Sequence, residues 1–399
     1  MDNHANLRLA LLGTPARLAV VLFLINGCGV SNRPDESPDP GDYSHLTVVR
    51  PASPGLKLDR IVGRAGGGLF SGSVLVSVAD TVLLCKGYGV AHRGTRRPNS
   101  AVTLFDIGSL TAPFIAIAIL QLLEEEKLSL RDRLPMFFEN VPDDKKNITV
   151  HHLLSHTSGL FGVHGDADVE ELTGDEAIDK ILQQKLRFDP GAEYGQTHTD
   201  YTLAAAIVEL RSGMSWTDYL RTRILDPAGM SFTCFAGDPV MLDAGVAHGY
   251  NEDRDMGSPY SWPGPYWGRG ETGGLVSNIV DLEKFGRALL SGTLVLPSSF
   301  RRLFGAGVLE GLYTPGEYTD QGDCSVNYFG WNCKDSGGLR FHESGGTMLN
   351  GHHALFRWEP VRKIVIIILS NDGGVQHEDS LIKVELLNKL REAVIKGRS

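Results

Sequence analysis

Phe105-Asp106-Ile107-Gly108-Ser109-Leu110-Thr111-Ala112-Pro113-Phe114 runs without a break into the apolar segment Ile115 to Leu123. A short strand-like run stops at Gly108, and a helix is expected just beyond it. Pro113 is tolerated there, because an amide in the first turn of a helix has no intrahelical partner to lose. Ser109 is therefore expected at the helix N-terminus, as a cap or an opening residue, where unpaired amides and the positive end of the dipole surround a hydroxyl. The bulky apolar residues that follow bury the helix and hold that hydroxyl in place.

Further blocks come after it in a fixed order. They are His152-Leu153-Leu154-Ser155-His156-Thr157-Ser158-Gly159-Leu160, then Pro190-Gly191 with Tyr201 beyond it, Ile224-Leu225-Asp226-Pro227-Ala228-Gly229-Met230, Gly273-Gly274-Leu275-Val276-Ser277, and Ser344-Gly345-Gly346-Thr347. Together with the Ser109 stretch they resemble the serine β-lactamase and penicillin-binding-protein superfamily, in its class C β-lactamase and esterase branch, over nearly all of the chain after about residue 55. Several blocks in order are far more specific than any one alone. The resemblance implies a mixed α/β (α+β) fold of the β-lactamase/transpeptidase type, with a mainly antiparallel sheet flanked by helices. The sheet part would come from residues about 55–100 and 270–399, and a mainly helical part, about 101–269, would be inserted between them.

The chemistry residues depart from that scaffold. In the family a lysine follows the nucleophilic serine by three positions, on the same helix face, where its amine takes the serine proton; this chain has Ala112 there. The second family motif is Tyr-x-Asn shortly after Pro-Gly, and counting from Pro190 to Tyr201 puts Gln196-Thr197-His198 on it. The third is a Lys or His, then Thr or Ser, then Gly, and here it reads Glu343-Ser344-Gly345. A cation has become an anion, unless His342 substitutes by a one-residue shift that turns its side chain to the other sheet face.

Two function classes follow. In the first, the chain is an exported, catalytically degenerate member of the fold that binds a small-molecule or peptide ligand in the old cleft, with Gln196, Ser344 and Gly345 as contacts. Losing a base costs about 10²- to 10⁴-fold, and losing members of a coupled unit costs more. In the second, it is an active serine hydrolase (esterase, peptidase or β-lactamase-like) in which His198 takes the proton of Ser109 and Glu343 orients the imidazole. A third class, a purely structural envelope lipoprotein, makes no use of the cleft. Stem peptides of peptidoglycan, β-lactams and small esters are the ligands that the resemblance implies.

Composition bounds the rest. At 399 residues, with 42% hydrophobic and 22% charged, the chain is an ordinary globular one, and 48 acidic against 38 basic residues give a formal charge of −10. Without a basic run there is no electrostatic footprint for nucleic acid. Residues 1–28 read as a secretory leader, with Arg8 and Arg17 flanking the apolar core Leu18 to Ile25, too short to span a bilayer. Ile25-Asn26-Gly27-Cys28 resembles a bacterial lipobox, which would put a lipid anchor at Cys28; a plain signal peptide with an incidental cysteine is the alternative. Residues 29–54, rich in Pro and Asp between Ser31 and Tyr43, read as a flexible linker to a domain spanning 55–399.

Within that domain, Leu56 to Gly66 is amphipathic, and Ser73–Val78 with Val82–Val90 flank Ala79-Asp80-Thr81 as a hairpin in a sheet buried on both faces. Helical periodicity recurs at Glu171–Leu186, Tyr201–Leu210, Trp216–Ile224 and Asp281–Leu290, and closes with Ser380–Ile395. Strand patterns return at His353–Trp358 and Lys363–Leu369. The stretch from about 240 to 270, with its Pro, Tyr and Trp residues, reads as a long aromatic loop that either lines a cleft or packs on the surface.

Besides Cys28 there are Cys85, Cys234, Cys324 and Cys333. Cys324 and Cys333 flank a short segment and form either a disulfide, which export permits, or two thiols. His151, His152 and His156 lie in the family block whose role is largely structural, with no carboxylate at a ligand spacing, so neither a metal nor a cofactor is expected. His352 and His353 alternate along a strand pattern and point to opposite faces.

Overall fold

A computed structural model of the chain describes residues 46–51, 54–79, 81–161, 173–236, 238, 245–261, 274–304, 329–336, 339–348, 350–372 and 386–394, all within the compact unit Pro40–Ser399. Seven strands make the main sheet. β1 (Val48–Val49), β2 (Gly72–Val78) and β3 (Thr81–Tyr88) precede the helical region, and β4 (Asn332–Ser336), β5 (Leu339–Thr347), β6 (His353–Glu359) and β7 (Ile364–Ser370) follow it. The order is β1-β3-β2-β7-β6-β5-β4, antiparallel at every step. The two parts of the chain meet at β2 and β7, where Val76 faces Ile366. Both strands are buried along their whole length, which is why neither shows the alternation of a strand with one wet face.

Residues two apart on a strand share a face, so alternate residues serve two different cores. On one face Val74, Val76, Phe341, Ile364, Ile366 and Ile368 pack against Leu58 and Val62 of α1 (Gly55–Gly63) and against Leu386, Leu387 and Leu390 of the closing helix. On the other, Leu75, Phe356, Trp358, Val365, Ile367 and Leu369 join the larger core with the helical region. The hub of that core is α2 (Ala112–Glu124), apolar and buried nearly all round. Its Phe114 stacks on Phe285 of α6 (Ile279–Leu290), ring centroids 4.1 Å apart, and Phe285 meets Phe356 of the sheet edge-on. Between α2 and α6 in the chain lie α3 (Val150–Leu154), α4 (Gly174–Gln183) and α5 (His198–Ser212).

Three local readings need correction. The linker expected as far as residue 54 already contains a strand: Val48 and Val49 pair with Cys85 and Leu84, and Arg50 Nε donates to Val82 O at 3.0 Å. The stretch read as one long loop holds a hairpin, Gly249–Asn251 with Arg254–Gly257, whereas Trp262 to Trp267 fall outside the described residues. Finally, α5 opens at His198 itself rather than near Tyr201. The leader, Cys28 and Cys324 also lie outside the described residues, and with them the expected anchor and the Cys324–Cys333 pairing.

Candidate active site

Ser109 is placed by a small second sheet. Phe105–Asp106 pairs with Leu275–Ser277, which pairs in turn with Cys234–Phe235, and Ile107 N donates to Leu275 O at 3.1 Å. Leu275–Ser277 is thus the splint for the strand leading to the serine. Asp106, buried, accepts from Gly108 N at 2.9 Å and from Asn350 Nδ2 at 3.0 Å, while its own amide donates to His352 Nδ1 at 3.3 Å. Burial, and secondarily the nearby His248, push the His352 imidazole down to about 3, so the ring stays neutral. Gly108 turns the chain with φ +49°, and a Cβ there would lie 2.2 Å from Met348 Sδ. Only a glycine fits both demands.

The turn Gly108–Thr111 is 3₁₀, and α2 begins only at Ala112. Ser109 does not cap it. The residues at the cap positions of the 3₁₀ turn and of α2 are Ile107 and Thr111, neither with a capping side-chain bond. The expected capping role is withdrawn, and the half-buried hydroxyl instead faces β5: a Cβ built on Gly346 would lie 3.1 Å from both Ser109 Oγ and Ser109 N.

That contact sets the parity of the third motif. Gly346, Ser344 and His342 share the Ser109 face of β5, and Glu343 and Gly345 share the opposite one, with the register unbroken from His342 to Thr347. Glu343 is therefore turned away from the serine. Its Oε2 accepts from Arg357 Nε at 2.8 Å and from a second guanidinium nitrogen of the same residue, both side chains being buried. Arg357 also lies over the Phe341 ring, on the terminal-helix side of the sheet. The expected Ser109–His198–Glu343 set is not assembled, because the Glu343 carboxylate is paired with Arg357 on the face turned away from the serine. His342 is on the correct face but four residues from Gly346, about 13 Å along a strand, with its ring against Trp358. Ser344, nearly closed to solvent, is the polar side chain nearest along the strand on the Ser109 face.

The second motif stands at the start of α5. Thr197 is the cap, its Oγ1 accepting from Thr199 N at 3.2 Å; Gln196 is exposed and His198 half-buried. What fixes this helix start was missed in the sequence: Asp200. Its carboxylate is fully buried, accepting from Ser158 Oγ at 2.5 Å and meeting His156 Nδ1 at 2.9 Å. The His-Leu-Leu-Ser-His-Thr-Ser-Gly block is accordingly a clamp. Its backbone adds Gly191 N to Thr157 O at 2.7 Å and Gly195 N to His156 O at 2.8 Å, gripping the loop that carries Gln196. His152 closes a capping box with Thr149, and burial, with His152 second, pushes His151 down to about 4.

Ala112, at the position of the family lysine, has no solvent exposure. Gly330, with φ +81°, rests on it: a Cβ there would lie 2.5 Å from Pro113 N and 2.8 Å from the Ala112 carbonyl carbon. Phe329 N donates to Leu154 O at 2.9 Å and ties this turn to the end of α3. The side chain one turn of helix beyond Ser109 is thus a methyl group and not an amine.

An antiparallel sheet with a serine at the head of a buried helix, facing a strand at the residue that follows a Ser-Gly pair, defines a serine β-lactamase/transpeptidase-like protein. The family model described as Beta-lactamase matches residues 58–387, and the chain belongs to that family. It is 28% identical over 338 residues to penicillin-binding protein 4* of Bacillus subtilis (strain 168), covering 79% of this chain and 71% of that protein. Among solved structures it is similar to the octameric penicillin-binding protein homologue from Pyrococcus abyssi, with 26% identity, a TM-score of 0.68, and 80% and 74% of the two chains covered. D-amino acid amidase from Ochrobactrum anthropi shares the fold, with a TM-score of 0.72 at 21% identity over 85% of this chain and 98% of that one.

Proposed function

We propose that this chain is an exported, lipid-anchored, penicillin-binding-protein-like protein that binds a ligand in the Ser109 cleft without using Ser109 as an efficient nucleophile. The observation that carries this reading is the buried Ala112: a serine hydroxyl is a poor nucleophile until a base takes its proton, and the family's base is replaced by a methyl group with no exposure to solvent, on a helix turn whose backbone packs against Gly330. The loss of the third-motif cation supports it, because Glu343 is committed to Arg357 on the far face. The ligand classes are those that the relatives' names and the fold suggest, β-lactams and peptidoglycan peptides, held beside Ser344 and the Gly346 backbone.

Intact-mass spectrometry after exposure to penicillin tests the covalent half. No adduct is expected; an adduct on Ser109 would overturn the reading. Titration with synthetic stem peptides tests the other half, and binding should persist in Ser109→Ala. The active-hydrolase alternative now rests on His198 without Glu343 behind it, and ester turnover that disappears in both Ser109→Ala and His198→Ala would establish it instead.

A further inference from the structure

Away from the cleft, two segments far apart in the chain bring His92, His248 and Asp255 together. The imidazole centroids of His92 and His248 are 4.0 Å apart, and both carboxylate oxygens of Asp255 lie 3.1 Å from His248 Nδ1. One ligand atom from each of the three falls within 4.8 Å of the other two. We propose that they bind a divalent transition-metal ion of the zinc class.

The frame around them is rigid. His248 N donates to Ala91 O at 2.8 Å, one residue before His92. Asn371 Nδ2 joins the same two segments, reaching Val90 O at 3.0 Å and His248 O at 2.9 Å. Tyr250 OH accepts from Arg93 N at 2.7 Å, and Asp255 Oδ1 also accepts from Gly257 N at 2.9 Å. Ligands carried on cross-braced backbone lose little freedom when they bind.

The chemistry also fits. Two imidazoles and a carboxylate suit zinc, and bonds of 2.0–2.2 Å in a tetrahedral arrangement put ligand atoms about 3.3 Å apart. The His248–Asp255 separation of 3.1 Å is already close to that edge. The metal takes the place of the hydrogen bond between His248 Nδ1 and Asp255: the neutral imidazole coordinates through Nδ1 with its ring proton on Nε2, and the carboxylate coordinates as an anion. His92 Nδ1 accepts from Thr95 N at 2.9 Å, so this ring coordinates through Nε2, moving its proton to Nδ1 and displacing one backbone amide. One neutral hydrogen bond is a small loss against metal coordination. Asp255 is exposed and leaves a path for the ion and a fourth position for water.

The neighbouring charges are accounted for. Arg93 is committed to Asp372 and to the Glu252 carbonyl, and Arg97 donates to Val246 O. The test is calorimetric titration of the untagged chain with zinc chloride at pH 7.5. One equivalent should bind with micromolar affinity and raise the melting temperature, at least tenfold more weakly in His92→Gln, His248→Gln and Asp255→Asn, and unchanged in Ser109→Ala. Absence of saturable binding to wild type, or equal binding by the two histidine variants, would overturn the proposal. Melting curves without zinc show whether each variant is folded, and Asp255→Asn, on the exposed side, serves if a histidine variant is not.

Discussion

Arg357 Nε donates to Glu343 Oε2 at 2.8 Å between neighbouring strands, and both side chains are nearly closed to water. Burial pulls the arginine below its ordinary value, with Glu343 opposing that shift. An anion at the position where the family carries a cation is thus half of an internal ion pair on the terminal-helix side, and its charge is not presented to a ligand.

Restoring the family cation at this position should therefore fail. Glu343→Lys would bury a second cation beside Arg357, and removing one partner of such a pair costs about 3–5 kcal/mol. Urea melts should show that loss, with no gain of penicillin acylation by mass spectrometry. The double variant Glu343→Met, Arg357→Leu should recover most of the stability, and a double variant as unstable as the single would count against the pairing.

Asp200→Ala should be more damaging than its place in a helix first turn implies. It removes the acceptor for Ser158 and the partner of His156 in a fully buried set. A loss of about 3 kcal/mol is expected from urea midpoints. A change below about 1 kcal/mol would show that the clamp is dispensable.

Gly346 lies against Ser109, so a side chain there should narrow the approach to the hydroxyl. In a Cys28→Ser, Cys324→Ser, Cys333→Ser background, Ser109→Cys should react with maleimide, whereas Cys85 and Cys234 stay silent because burial pushes both thiols up to about 12. Adding Gly346→Val, whose Cβ alone would lie 3.1 Å from Ser109 Oγ, should slow labelling by at least tenfold while melting remains cooperative. An unchanged rate would mean that the hydroxyl is approached from elsewhere.

The protein should lose stability in mild acid. His151 titrates at about 4 when folded, chiefly through burial, against roughly 6.5 in an unfolded chain. Between those values the unfolded state binds the extra proton, so stability falls as pH falls, by up to about 1.4 kcal/mol per unit, and levels off below about 4. His151→Met should lower the slope between pH 6.5 and 4 in denaturation curves, leaving the part that His352, pushed down to about 3, contributes over the same range. An identical slope would assign the acid sensitivity to other groups.

The order of blocks in the sequence pointed to the fold, and the long apolar runs located α2, β2 and β7, because burial on all sides leaves a continuous signature. Relations that depend on facing were less legible. Phe341-Glu343-Gly345 and His342-Ser344-Gly346 are equally plausible inner faces until Gly346 is seen against Ser109. Arg357 could be paired with Glu343 only once the β5–β6 register was known. Asp200 drew no notice just ahead of the helix expected from Tyr201, since its partners Ser158 and His156 stand more than 40 positions away. The His92–His248 pair was hidden in the same way, by distance along the chain.

The contact of Gly330 with Ala112 and Pro113 also constrains the routes open to mutation. A side chain at Gly330 would collide with the Pro113 nitrogen and press on the Ala112 backbone, and a longer side chain at Ala112 has to find room where there is no exposure to solvent. Each position restricts what the other tolerates, so their substitutions are epistatic and their order matters. A lineage that had settled into this packing would have to open room at a position closed to solvent before a lysine could return beside the serine.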